Sequence, residues 1–306
     1  MAAFQPVSLS SSEKLEIKHI LVATDFSDCS NHALMQAAAI ARLHGSDILV
    51  VHAIPAEAML QQALEPPLWE YQDIVRKAQS QMEVAETSEV LDGISHELLV
   101  EQGPLESVLA RVIEDRNISM LVLGTRGRGG FKKLLLGSVA EEIFRIAQCP
   151  VLTVGPAESP ALRSHGCFQS ILFATDFSQG SLRALPYAVG LAKESRSMLT
   201  LMHVVEEGSV MALYLHERML ADARQRLKEL VIQHAIDVSP QPEIAVVSGY
   251  PADEILRTAD RRDADLIVMG VHKSGEVGAK TSAHLPWTIA QMVVSHAKCP
   301  VLTVRG

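Results

Sequence analysis

The sequence predicts an α/β protein of two tandem domains, each built on an open parallel sheet with helices on both faces. Short apolar runs alternate along the chain with stretches whose apolar residues recur at helical spacing. The same alternation begins again in the second half of the chain, which indicates a duplicated domain. The 306 residues, of which 48% are hydrophobic, are enough for two cores of ordinary size.

Five apolar runs in the first half have the length and the bounds of buried strands. They lie at residues 20–23, 48–54, 97–100, 120–123 and 151–154. Between the first two runs, Leu34, Ala37, Ala38 and Ala41 mark one face of a helix. Further helices are predicted within residues 57–91, where Pro66 and Pro67 form a break, and over residues 105–114.

The pattern starts again at Gln169, where SILFATDFS repeats the HILVATDFS of the first half. The repeat sets Asp25 against Asp176 and His52 against His203, and CPVLTV closes both halves. A segment with two prolines joins the halves. We therefore predict a first domain over residues 1–155, a linker over residues 156–168 and a second domain over residues 169–306.

A glycine-rich segment directly follows the fourth predicted strand of the first half. Its spacing is G-x2-G-x9-G-S, from Gly124 through Gly127 to Gly137 and Ser138. Glycines let backbone N–H groups approach an anion, and a helix that begins at Ser138 adds unpaired N–H groups and a positive dipole end. The segment is neither a G-x4-G-K-[ST] P-loop nor a G-x-G-x-x-G dinucleotide fingerprint. It predicts a phosphate cradle of another kind.

The second half repeats the predicted scaffold but loses these glycines. Gly270 corresponds to Gly124, whereas Lys273 stands in place of Gly127 and Trp287 in place of Gly137. Since the second half is predicted to fold without them, we interpret the glycines of the first half as ligand contacts. The phosphate side of the second half is then degenerate.

Several residues near the cradle have two interpretations. Asp25 follows a strand beside Ser27, where an Asp or Ser is often a helix cap as well as a candidate ligand contact. Arg126 and Arg128 suit phosphate, but solvated surface positions explain them as well. His52 and its counterpart in the repeat lie inside apolar runs, which favours histidines packed in the core over ligands.

Charge and composition exclude several classes of protein. A net charge of −9 argues against a nucleic-acid or anionic-membrane binder, because both need a basic surface. No apolar run approaches the roughly 20 residues of a membrane-spanning helix, and the first residues lack the features of a secretory signal. The four cysteines form no C-x-x-C pair. We therefore expect a soluble, cytoplasmic protein with reduced thiols, in which the repeated Cys-Pro sets strand geometry and is not redox-active.

The sequence resembles the universal stress protein family in three motifs, which are ATDFS after the first strand, G-x2-G-x9-G-S after the fourth and CPVLTV at the end. The duplication resembles the tandem, UspA-like members of that family. The resemblance implies sheets of order 3-2-1-4-5, an architecture like that of the adenine-nucleotide alpha hydrolases, and ATP across the carboxyl ends of the strands. In the second domain Ala174, Thr175, Asp176 and Val204 match the adenosine side but the phosphate side fails, so the contacts are implied for the first domain. The adenosine side comprises Ala23, Thr24, Asp25 and Ala53, and the phosphate side comprises Gly124, Arg126, Gly127, Arg128, Gly137, Ser138 and Val139.

The resemblance also implies a function, a nucleotide-dependent binding or regulatory module of the stress response with a structural or regulatory second domain. Family members associate through their last strands, so a homodimer is expected, or pairing of the two domains through residues 151–154 and 301–304. No catalytic triad, carboxylate pair or P-loop lysine accompanies the cradle, which favours binding over turnover, with no catalytic residue and no metal ligand. The alternatives are a slow ATPase or nucleotidyl-transfer enzyme using Mg2+ held by the phosphates and Ser138, or a second domain that binds an apolar small molecule through Trp287 and residues 210–215.

Overall fold

The computed structural model divides the chain into two compact units. The N-terminal unit comprises Glu16–Glu158, and the C-terminal unit comprises Ser159–Gly306 together with Met1–Leu15. The structure describes residues 15–54, 68–125, 143, 147–155, 168–206, 213–234, 236–271 and 286–305, with the backbone of 68–71, 213–215 and 286–288.

Five strands of the N-terminal unit form a parallel sheet. The strands are β1 His19–Ala23, β2 Asp47–Ile54, β3 His96–Gln102, β4 Met120–Gly124 and β5 Val151–Val154. The helices are α1 Asp28–His44, α2 Leu68–Glu86 and α3 Leu105–Asp115, with a 3-10 helix at Glu89–Leu91. β1 pairs with β2 and β4, β2 with β3, and β4 with β5, all in parallel. The resulting order, 3-2-1-4-5, confirms the predicted one.

The C-terminal unit repeats this topology. Its strands are β6 Ser170–Ala174, β7 Met198–Val205, β8 Glu243–Ser248, β9 Leu266–Val271 and β10 Val301–Arg305. Its helices are α4 Gln179–Leu182, α5 Leu185–Ser195, α6 Leu213–Gln233, α7 Pro251–Arg261 and α8 Pro286–His296. The parallel order β8-β7-β6-β9-β10 is again 3-2-1-4-5.

Both faces of each sheet are covered. Consecutive residues are buried in β1, β4, β6 and β9, whereas a strand covered on one face would alternate between buried and exposed residues. The chain leaves β1 toward one edge of the sheet and leaves β3 toward the other, so right-handed crossovers set α1 and α3 on opposite faces. The predicted fold class, α/β with helices on both faces, is confirmed.

Helix α1 carries the predicted apolar face. Its four face residues are all buried, namely Leu34, Ala37, Ala38 and Ala41. Ser27 caps the helix by accepting a hydrogen bond from the Ser30 N–H, and Gly45 ends it in the left-handed conformation at φ 71°.

The corresponding helical segment of the C-terminal unit is broken into two helices. α4 ends at Leu182 and α5 begins at Leu185, with Pro186 in its first turn. Proline has no N–H and its ring clashes with the preceding turn, so a new helix begins there. The repeat has Met35 at this position, which is why α1 runs on unbroken.

The two longest of the described helices, α2 and α6, pack against β3 and β8 respectively. α2 begins directly after the predicted break at Pro66 and Pro67. Across the described ranges, no helix combines the length and the apolar character needed to span a bilayer.

Leu15 packs within the C-terminal unit. Only 5% of its surface is exposed, and it lies against α5, where a Cβ on Gly190 would come within 2.7 Å of the Leu15 Cβ. The bare backbone of Gly190 makes the space that Leu15 fills. The repeat has Ala39 at this position in α1.

In each unit, a polar side chain just before the fourth strand accepts hydrogen bonds from the backbone at the start of the first strand. Ser119 Oγ accepts hydrogen bonds from the N–H of His19 and from that of the preceding residue, both at 2.9 Å. In the C-terminal unit the Asp265 carboxylate, 2% exposed, accepts from the N–H groups of Gln169 at 2.7 Å and Ser170 at 3.1 Å. Burial raises the pKa of Asp265, and the two N–H groups oppose that rise.

Candidate functional site

The candidate site lies where β1, β2 and β4 end. Their carboxyl ends meet at one edge because the strands are parallel and in register, with Ala23 opposite Val51 and opposite Leu123. The chain moves to β2 on one side of β1 and to β4 on the other, which makes this edge a topological switch point. Open α/β sheets bind their ligands in the crevice at such a point.

The turn after β1 is held by its own side chains. Thr24 Oγ1 accepts a hydrogen bond from the Phe26 N–H at 3.0 Å and donates one to Ser30 Oγ at 3.1 Å. Asp25 Oδ1 accepts from the Ser27 N–H at 3.1 Å and from the Ser27 O–H at 2.6 Å. Phe26 takes the left-handed conformation, φ 60°, that this tight turn requires. The turn is therefore a rigid platform beside the crevice.

Asp25 does not cap α1 itself. The cap is Ser27, and Asp25 orients that serine through Oδ1. Asp25 is half-buried. The capping role therefore belongs to Ser27, with Asp25 behind it, and contact of Asp25 with a ligand remains a prediction.

His52 ties the end of β2 to this turn. Its Nδ1 donates to the Thr24 carbonyl oxygen at 2.8 Å, which fixes the tautomer of the neutral ring, and its ring centroid lies 4.5 Å from that of Phe26. The ring is half-buried, whereas the sequence predicted a histidine packed in the core. His52 and Ala53 are the two half-buried residues near the end of β2, whereas Ile54, which ends the strand, is buried again. Next to it, Ala53 is half-buried and contributes only a methyl group to the edge.

Gly124 ends β4 against the first turn of α1. A Cβ at this position would lie 3.0 Å from the carbonyl carbon and oxygen of Cys29 and 3.1 Å from the Ser30 nitrogen. In the repeat, a Cβ on Gly270 would meet the backbone of Gly180 still more closely. Close packing of strand and helix therefore requires glycine here in both units, and contact of Gly124 with a ligand is a separate prediction.

The cysteines at the sheet are hydrogen-bonded or buried thiols. Cys29 Sγ donates to the Val154 carbonyl oxygen at 3.2 Å. Burial raises the pKa of Cys149 to about 12, and it does the same for Cys299. A thiol that stays protonated is a poor nucleophile and a poor redox centre, in agreement with a geometric role for the repeated Cys-Pro.

Much of the predicted phosphate side lies outside the described residues. This applies to Arg126, Gly127, Arg128, Gly137, Ser138 and Val139, to Lys273, and to the side chain of Trp287. The structure brings together Ala23, Thr24, Asp25, Ala53 and Gly124 at one edge. The glycine-rich segment leaves the sheet from that edge.

The C-terminal unit has the same turn with one addition. Thr175, Asp176, Phe177, Ser178 and His203 repeat the hydrogen bonds and the ring contact of their N-terminal counterparts. Arg226 on α6 places its guanidinium 4.0 Å from the centre of the Phe177 ring. The pKa of His203 is lowered, and burial is the largest cause. The charge of Asp176 raises this pKa, whereas the charge of Arg226 lowers it. The edge is thereby more cationic than a bare copy of the turn.

Sequence reasoning missed the supporting residues of the turn. Phe26, Ser30 and His52 are hydrogen-bonded to Thr24 or pack beside it. Phe26 lies within ATDFS and His52 was interpreted as a core histidine, so neither was predicted to support the turn. The signal was present in the repeat, because Phe177, Ser181 and His203 occupy the matching positions. Among the described residues, no group of three or more His, Cys, Asp or Glu side chains is arranged to hold a metal ion.

Comparisons with known proteins agree with the duplicated fold. The sequence model described as "Universal stress protein family" matches residues 16–155 and again residues 168–305. A universal stress protein of Thermus aquaticus is 34% identical over 139 residues, which cover 45% of this chain and 98% of that protein. One of Mycobacterium tuberculosis strain H37Rv is 25% identical over 312 residues, covering 94% of each. The crystal structure of a universal stress protein from Archaeoglobus fulgidus shares the fold, with a TM-score of 0.71 and 23% identity over 95% of this chain and 99% of that one.

Proposed function

Because the chain belongs to the universal stress protein family, we propose that its N-terminal unit binds an adenine nucleotide, ATP, at the carboxyl edge of β1, β2 and β4. The observation that carries the proposal is the position of Gly124. β4 lies beside β1, so the glycine-rich sequence that follows Gly124 leaves the sheet next to the Thr24–Asp25 turn. A nucleotide in the crevice then has a polar turn at one end and backbone donors at the other.

The adenosine end fits the turn after β1. The Asp25 carboxylate is a hydrogen-bond acceptor held in place by Ser27, and it suits the hydroxyl groups of a ribose or the amino group of adenine. Ala23 and Ala53 line the same edge with methyl groups, which leave room for a flat ring. The Thr24 carbonyl oxygen is held by His52, so the platform does not have to reorganise when the ligand binds.

The anionic end is proposed for the glycine-rich segment. In this proposal Gly127 and Gly137 would expose backbone N–H groups, and Ser138 and Val139 would open a helix whose N-terminus favours negative charge. Arg126 and Arg128 would face the same phosphates, and any Mg2+ would arrive with them. This part of the proposal depends on sequence alone.

The C-terminal unit is proposed to be structural or regulatory. It keeps the turn but has Lys273 and Trp287 where the first half has Gly127 and Gly137, so it lacks the bare backbone a triphosphate needs. In this proposal the chain acts in the cytoplasm as a nucleotide-dependent module of the stress response. Its self-association stays a prediction for analytical ultracentrifugation.

Calorimetry with ATP and magnesium tests the proposal, and the repeat supplies matched controls. We expect one nucleotide per chain. Asp25→Asn keeps an acceptor for Ser27 but removes the charge, which should weaken binding about fivefold, the equivalent of ~1 kcal/mol for a charge-assisted hydrogen bond. Asp176→Asn makes the same change in the other turn and should leave the affinity unaltered.

Gly127→Lys copies the second half into the first and should abolish binding. Absence of binding heat from the folded wild type, or equal loss in the Asp25 and Asp176 variants, would refute the proposal. Two nucleotides per chain would refute the degenerate assignment of the C-terminal unit. Phosphate release measured on the same samples separates binding from slow turnover, since release that disappears with Gly127→Lys would show an ATPase.

A further inference from the structure

A serine and a histidine meet at the carboxyl edge of the C-terminal sheet, away from the Asp176 turn. Ser248 is the last residue of β8, and His216 lies in the first turn of α6. Ser248 Oγ is 2.7 Å from His216 Nε2, and both residues are half-buried, so solvent and small molecules reach them. When the imidazole carries its proton on Nδ1, Nε2 accepts the serine O–H, which is the arrangement of a nucleophile and its general base.

Ser248 also stands at a sharp turn from strand to helix. Only Gly249 and Tyr250 separate it from α7, and Gly249 has φ 147°, a conformation open to glycine and rare for other residues. The Gly249 N–H donates to the Val205 carbonyl oxygen at 3.1 Å, which fixes the turn against β7. α/β-hydrolases likewise carry the nucleophilic serine where a strand turns into a helix.

The start of α7 supplies polarity suited to a developing oxyanion. Its N-cap, Tyr250, makes no side-chain hydrogen bond to the first turn, and the N–H groups of Ala252 and Asp253 follow Pro251 there. These donors, with the positive end of the helix dipole, lie four and five residues from Ser248 in the sequence. The nucleophile, its base and a candidate oxyanion site thus occur together.

The fold does not require this pair. The corresponding turn of the N-terminal unit has the sequence Gln102, Gly103 and Pro104, with no serine. Its Gly103 N–H donates to the Ile54 carbonyl oxygen at the end of β2, as the Gly249 N–H does to that of Val205. Both units form the turn, so Ser248 is not explained by packing of the scaffold.

We propose that Ser248 and His216 form a catalytic dyad that hydrolyses small uncharged esters, an activity independent of nucleotide binding by the N-terminal unit. Ser248 Oγ attacks the ester carbonyl carbon while His216 Nε2 takes the hydroxyl proton. The carbon–oxygen bond to the alcohol breaks, and the alcohol leaves with that proton. Water then attacks the acyl-serine, gives its proton to Nε2 and releases the carboxylic acid as the serine recovers its proton. The products are one alcohol and one acid for each ester and each water consumed.

The charges near the dyad decide the class of ester. Glu206 follows Val205, which is paired in register with Ser248, and Asp253 lies in the first turn of α7. Both residues are exposed. The buried Glu254 packs against Gly249, where an added Cβ would lie 3.3 Å from Glu254 Oε1, although Arg257 pairs with this carboxylate. Acidic groups therefore outnumber basic ones next to the turn and disfavour a negatively charged acyl group. The substrate is accordingly uncharged.

A fluorophosphonate probe, which reacts only with activated serines, tests the dyad on the full-length protein. We expect one adduct on Ser248 by peptide mass spectrometry, together with hydrolysis of p-nitrophenyl acetate. His216→Gln keeps a hydrogen-bonding side chain but cannot act as a base, and it should slow both reactions at least a hundredfold, the low end for general-base catalysis. A role confined to structure would leave the rate of labelling unchanged.

The repeat again provides controls. Ser248→Gln installs the residue of the first half and should abolish the adduct, with a circular dichroism melt to show that the variant is folded. Gln102→Ser places a serine at the equivalent turn without a histidine and should gain no adduct. Labelling that is absent from folded wild-type protein, that falls on another residue, or that is equal in His216→Gln overturns the proposal. ATP calorimetry on the same variants should be unchanged, so this failure and that of the nucleotide proposal are told apart.

Discussion

Replacing Asp265 by alanine should destabilise the C-terminal unit by about 2–3 kcal/mol. The carboxylate accepts the N–H groups of Gln169 and Ser170, which start β6, and it is 2% exposed. Each buried donor that loses its acceptor costs about 1–3 kcal/mol. Gln169 is exposed, so water can replace part of its lost hydrogen bond. The total cost of the two lost bonds should therefore lie in the lower half of the range that two buried donors would give. For a unit of this size the melting temperature should fall by about 4–12 °C.

The same carboxyl group gives the prediction a pH dependence. Burial raises the pKa of Asp265, so the folded unit holds its proton more tightly than the unfolded chain does. Between the ordinary value of 3.8 and the raised value, the folded state binds more protons, and its stability must fall as the pH rises through that window. Asp265→Asn cannot ionise and should lack this loss.

Urea unfolding, resolved by hydrogen exchange in β6 peptides, measures both effects. The free energy of unfolding of the wild type, minus that of Asp265→Asn, should decrease from about pH 4 to pH 7. Ser119→Ala is the matched control, because it removes an uncharged acceptor from the start of β1 and should cost stability in the N-terminal unit without this pH dependence. A difference that grows with pH would mean that the N–H groups outweigh burial, and the reasoning would be wrong.

Four further substitutions test individual contacts. Gly270→Ala should destabilise the C-terminal unit by about 3 kcal/mol, and Gly124→Ala should destabilise the N-terminal unit by about 1 kcal/mol. The difference is expected because the added Cβ would lie closer to backbone atoms at Gly270 than at Gly124. Equal losses of stability in urea unfolding would contradict this. Gly190→Ala should expel Leu15, and limited proteolysis should then cut the chain before residue 16 faster; unchanged cleavage would argue against the contact. His52→Ala should weaken ATP binding severalfold by loosening the turn after β1, while calorimetry that shows wild-type affinity would separate the histidine from the site.

Most of the fold was predictable because its signals are local or repeated. The apolar runs that became β1, β2 and β4 are bounded by polar or turn residues, and the second half reproduced them in the same order. The break between α4 and α5 was readable from Pro186 but was not predicted. Strand order came from the family resemblance, since apolar runs do not specify their neighbours.

The sequence motif of the candidate site could be predicted, but the residues that hold the turn in place could not. Asp25 stands in a recognisable run, whereas His52 is joined to Thr24 across 28 residues of chain by a hydrogen bond that no spacing rule encodes. Ser248 and His216 are 32 residues apart on a strand and a helix, so their meeting depends on how α6 lies along β8. Such contacts form only in the folded chain. The His52 contact recurs in the second half with His203, whereas the first half has Gln102 at the position of Ser248.

The packing of Leu15 against Gly190 has a consequence for synthesis of the chain. A ribosome makes Leu15 first and its partner 175 residues later, which at about 5–20 residues per second is a delay of roughly 10–35 s. During that interval the leucine is an apolar side chain with no surface to cover it, and it is open to chaperones. Leu15 can thus reach its native contact only after α5 has been made.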